Sequence, residues 1–63
     1  MAVKVSEEVF EGLEAARDIG RFNMFAFLHV HDFVKSMGFK ETAKWMVENS
    51  SLYIEGVWEG FTT

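Results

Sequence analysis

The sequence predicts an all-α fold, a small domain of three main helices followed by a short fourth helix or an irregular aromatic tail. Three observations predict it. Apolar residues recur at helical spacing in three successive stretches. Gly20, Gly38 and the run Asn49-Ser50-Ser51 separate those stretches with helix-ending and helix-capping residues. Proline is absent, so nothing forces a break inside them. Residues 1–63 read as a single domain, with no repeat, linker or low-complexity tract.

The elements follow in order. Met1 to Val5 reads as a short lead-in, a frayed arm. Ser6 is a suitable N-cap, and Glu7 and Glu8 suit the positive end of a helix dipole. The first helix is expected from about Glu7 to Ile19, burying Val9, Phe10, Leu13 and Ala16 and ending at Gly20. Gly12 in its interior costs roughly 1 kcal/mol against Ala. Either another backbone comes close there or the cost is tolerated.

The central helix is the most apolar part of the chain, Asn23 to Phe39. Asn23 is its expected cap and Gly38 its expected end. Its stripe is Ala26, Phe27, Val30, Phe33, Val34 and Met37. Leu28 points out among His31, Asp32 and Lys35. Met24 and Phe25 fit the stripe poorly and need another surface. After the central helix comes Phe39-Lys40-Glu41, then a third helix to about Asn49, with Phe39, Ala43, Met46 and Val47 inward. Leu52 to Phe61 is ambiguous between helix and strand. A short helix from Ser51 to about Glu55, then an aromatic tail, is the expectation. The core is expected to comprise Phe10, Leu13, Phe27, Val30, Phe33, Val34, Phe39, Ala43 and Met46.

Composition bounds the function. At this length a chain buries only about 60% of its unfolded surface, and with no cysteine there is no disulfide or thiolate zinc site to staple it. Yet 49% of the residues are hydrophobic, including seven Phe, two Trp and four Met. That is more than a three-helix core absorbs, so part of it is expected at an interface. A homodimer whose interface uses the apolar residues left over from the helix stripes is expected to cover it. A net charge of −4 argues against non-specific nucleic-acid binding. No apolar run approaches about 18 residues, so no membrane span is expected. MAVKVSEE has no apolar h-region, so no cleaved signal is expected there.

Two sets of residues are candidates for protein binding. Glu7, Glu11, Glu14 and Asp18 lie within roughly 60° of one another on the first helix. They form either a solvated face or an acidic ridge that steers encounter with a basic surface on another protein. Phe25, Leu28, Trp45, Tyr53 and Trp58 are the apolar residues left over from the stripes. Trp45 either covers the end of the core or anchors an interface. The aromatics Tyr53, Trp58 and Phe61 are too many for a free tail and are expected to pack on the core or on a second subunit.

Candidates for chemistry are few. His29 and His31 are metal-ligand types beside Asp32, but i, i+2 on a helix points the two rings about 160° apart. A His-Asp dipeptide also occurs in HD-type phosphohydrolases, which need further ligands that this chain lacks. No glycine-rich phosphate loop, Cys–His pair or Ser–His–Asp set is present. No catalytic residue, cofactor or metal is expected.

One further pattern is recognisable: Arg17-x-x-Gly20, then Asn23-Met24-Phe25, a helix closing in Gly38-Phe39, then Glu41, Trp45 and Tyr53. In these motifs the chain resembles a family of very small, mostly phage- and prophage-encoded proteins of unknown function, over about Val9 to Val57. Ala26 stands where that family usually has an acidic N-cap. The resemblance implies a phage origin, a cytoplasmic setting in the host cell and a small accessory role. Two function classes follow: a protein that binds a larger host protein, for example inhibiting a defence protein, or a small dimeric regulator that contacts nucleic acid.

Overall fold

A computed structural model describes residues 1–20 and 23–63. Its elements, in chain order, are β1 (Val3–Lys4), α1 (Glu7–Ile19), α2 (Phe27–Ser36), α3 (Lys40–Glu48), α4 (Ser50–Glu59) and β2 (Phe61–Thr62). The fold is all-α, with α1, α2 and α3 packed on one another and α4 packed on α3 and β1.

Helix ends follow local chemistry. The Ser6 side chain accepts a hydrogen bond from the Val9 N–H at 3.4 Å, and Gly20 takes the left-handed conformation at φ 64° that ends α1. At the end of α2, Phe39 N–H donates to the Val34 carbonyl and Gly38 N–H to that of Lys35. These are the paired bonds of a Schellman motif, closed by Gly38 at φ 90°. The start of α2 departs from expectation. Asn23 Oδ1 accepts from the Phe25 N–H at 2.9 Å, and its carbonyl from the Ala26 N–H at 2.8 Å. Asn23 therefore closes a turn before the helix, because a short side chain bonds its own neighbourhood first. The helix starts at Phe27, behind Ala26, without a side-chain cap.

The core consists of Val3, Val5, Val9, Leu13, Ala16, Val30, Val34, Ala43, Met46 and Tyr53. Five of the nine expected core residues are fully inside; Phe10, Phe27, Phe33 and Phe39 pack against the core with an edge still exposed. A Phe is too large to be enclosed at the rim of so small a domain. Met37 and Val47, expected on the inward stripes, are 60% and 61% exposed. Met37 caps the end of α2 and Val47 lies in the last turn of α3.

Thr42 was not anticipated inside, yet it is fully buried. Its hydroxyl reaches the Glu8 and Val9 carbonyl oxygens of α1 at 3.1 and 3.3 Å. A Cβ at Gly12 would lie 2.1 Å from Thr42 Oγ1. Gly12 is thus the notch in α1 that lets α3 approach, and the threonine satisfies its own polar atom inside it.

The ends of the chain carry the largest departures. The lead-in is no frayed arm: Val3 and Val5 are buried and Lys4 is exposed, the alternation of a strand. Strand β1 pairs in parallel with β2, Val3 opposite Phe61 and Lys4 opposite Thr62. Helix α4 runs on to Glu59, past the expected end near Glu55, and the tail after it is the strand β2.

Candidate functional site

The aromatic residues divide into two groups. The first is internal. Tyr53 is fully buried, and its hydroxyl donates to the Met24 carbonyl oxygen. The Phe27 and Tyr53 rings meet edge to face at 5.6 Å, Tyr53 and Phe61 lie 6.0 Å apart, and Trp45 meets Phe61 edge to face at 6.1 Å. Phe61 reaches Tyr53 because Gly56 offers no side chain; a Cβ there would lie 2.1 Å from the Phe61 ring. Burial pushes the Tyr53 phenol up to about 12. Tyr53 therefore belongs to the core and is not surface available for binding. Trp45, half-buried against Phe61, covers the end of the core.

The second group is external. Phe25 and Trp58 pack on each other with ring centroids 5.2 Å apart, and they remain 41% and 76% exposed. Ile54, one turn before Trp58 on α4, is also exposed. Leu28, one turn beyond Phe25, is 73% exposed, as its place off the stripe predicts.

Beside Trp58 lies an open hollow of about 340 Å³ between α1 and α4. Leu13, Met24 and Phe61 contribute apolar lining, and Glu14, Arg17 and Glu59 contribute charge. Glu14 also belongs to the acidic face of α1, where Glu7, Glu11 and Asp18 are exposed. Arg17 approaches Glu14 at 3.9 Å, so among the described residues one acid of the four has a cation beside it. The exposed aromatic pair and the acidic face thus adjoin through Glu14. Glu7, Glu11, Asp18, Phe25, Leu28 and Trp58 stand at the surface; of the nine candidates, Tyr53 is enclosed and Glu14 and Trp45 are half so.

His29 is exposed, whereas His31 stacks on Phe27 at 6.1 Å with an interplanar angle of 13°. Among the described residues, no three or more His, Cys, Asp or Glu side chains gather in a way that could hold a metal ion. Among the same residues, no helix is long and apolar enough to cross a membrane. Compared with family models, with curated proteins and with solved structures, the chain shows no match to any of them.

Proposed function

We propose that the protein acts by binding a larger protein of the host cell, with Phe25 and Trp58 as the anchor and the acidic face of α1 as the steering element. One observation carries this reading. A Trp that is three-quarters exposed, held against a second ring beside an open hollow, is the composition of an interface hot spot. The internal aromatic group supports it by contrast, since the fold has places for buried rings and leaves this pair outside. Occlusion of a host defence protein in the cytoplasm is the form of the reading that follows from the resemblance to small phage-encoded proteins.

The partner this surface suits is basic around an apolar projection. Charge on Glu7, Glu11 and Asp18 acts over about 8–10 Å at physiological salt and therefore affects encounter more than lifetime. Reversing Glu11 and Glu14 to Lys slows association at low salt and leaves dissociation nearly unchanged. Trp58→Ala does the opposite, raising the dissociation rate.

A photoreactive phenylalanine analogue at position 58, expressed in the host cell, tests the reading directly. It should cross-link to one larger protein, while the same label at exposed Met37 should not. Cross-linking from position 58 only to a second copy of the chain would assign the pair to a homodimer instead.

A further inference from the structure

The lysines of this acidic chain are gathered on one side. Three of its four, Lys35, Lys40 and Lys44, line a groove of about 380 Å³ between α2 and α3, over an apolar floor of Ala43 and Val47. The ion pairs among the described residues are Met1 with Glu59 and Arg17 with Glu14, so none of the three lysines is paired among those residues. His31 and Glu48 also line their groove, and Asp32 borders Lys35 in a neighbouring hollow.

Lys40 also borders a second hollow, of about 240 Å³, where α1 meets the start of α3. Its charged neighbours there are Glu8, Glu11 and Glu41, beside Phe39. The surface therefore changes sign across Lys40, from carboxylates on the α1 side to ammonium groups on the α2 side. A patch with that charge order complements itself after a half-turn about an axis through its middle. In such a rotated pair the carboxylates of one copy would lie toward the lysines of the other, with exposed Val47 beside them.

We infer that this α1–α3–α2 face is a two-fold self-association surface whose occupant is a second copy of the chain. It shares Glu11 with the acidic steering face but no lining residue with the hollow beside Trp58, so the aromatic anchor proposed above lies outside it. Its attraction comes from exposed charges, each pair of which contributes little and is screened by salt. Association is therefore weak, concentration-dependent and lost at high ionic strength.

Sedimentation equilibrium of the full chain tests this. At high concentration in low-salt buffer the wild type should approach twice the 7.3 kDa chain mass, and near-molar salt should return it to monomer. Lys40→Glu with Lys44→Glu makes the patch acidic, and Glu11→Lys with Glu41→Lys makes it basic. Each variant should be monomeric alone, and an equimolar mixture should form a one-to-one heterodimer. Circular dichroism checks that each is folded; if a reversal unfolds the chain, Lys40→Gln with Lys44→Gln takes its place and should abolish the wild-type dimer. A wild type that stays monomeric in low salt overturns the inference. So does a dimer that survives both charge variants and is lost in Trp58→Ala. Lysine-dependent retention of a single-stranded oligonucleotide without self-association would overturn it too, assigning the groove to phosphate.

Discussion

Tyr53 and Trp58 stand five residues apart on the same helix and have opposite fates. Tyr53 is enclosed, bonded to the Met24 carbonyl oxygen and flanked by Phe27 and Phe61. Trp58 is 76% exposed and touches Phe25 outside the core. Five positions advance a helix by about 500°, which places the two side chains about 140° apart. The buried side of α4 carries Tyr53 and Gly56, and the glycine admits Phe61. The difference teaches that on a short helix with one packed face, angular position decides which aromatic stabilises the fold and which is left at the surface. Ring chemistry alone does not decide it.

The comparison can be broken most directly at Tyr53. Tyr53→Ala should cost about 3–5 kcal/mol, because it removes a fully buried ring and leaves a cavity between Phe27 and Phe61. That is enough to unfold most of a population of so small a domain. A thermal melt within a few degrees of wild type would mean that Tyr53 does not seal the core.

A gentler way to address the same residue is pH. The folded-state pKa of Tyr53 is raised from 10.0 to about 12, so the folded protein resists ionisation that the unfolded chain accepts. Stability from this group is fully present below pH 10 and is lost as pH rises through 10 to 12. The loss should reach about 2–3 kcal/mol, from a shift of two pH units. Tyr53→Phe should start lower at neutral pH by about 1 kcal/mol, for the lost hydrogen bond to Met24. It should then lack the alkaline step attributable to the phenol. Denaturant midpoints of both proteins across that range check it.

The notch at Gly12 predicts a smaller effect. Ala improves intrinsic helix propensity by about 1 kcal/mol, but its Cβ would meet Thr42, a short buried side chain with little room to turn. Overpacking of this kind costs about 1–3 kcal/mol. Gly12→Ala should therefore be net destabilising, and Gly12→Ala with Thr42→Ser should remain so, since the hydroxyl stays in the way. A Gly12→Ala protein more stable than wild type by chemical denaturation would show that α3 can move off α1.

The smallest effect on stability is expected at Trp58. Trp58→Ala should change the unfolding free energy by less than about 0.5 kcal/mol, while weakening capture of the proposed partner by about 2 kcal/mol or more. A melting temperature that falls as far as that of Tyr53→Ala would place Trp58 with the core and remove the contrast.

The sequence by itself determined the all-α class, the extent of α1, the end of α2 and the exposure of Leu28. Each depends on short-range information: the period of the apolar residues, a Ser cap, a glycine where the backbone turns left-handed. The exposed acidic positions of α1 were legible for the same reason. What only the tertiary structure decided depends on residues far apart in the chain. The Val3-Lys4-Val5 alternation was a visible strand signal, but two residues of strand have no stability without Phe61 and Thr62 beside them. Thr42 reads as a polar helix residue until Gly12 supplies the space, and Glu8 and Val9 the carbonyl oxygens, that satisfy it. The fates of Tyr53 and Trp58 depend on which side of α4 meets α3 and β1, and local propensity carries no record of that docking.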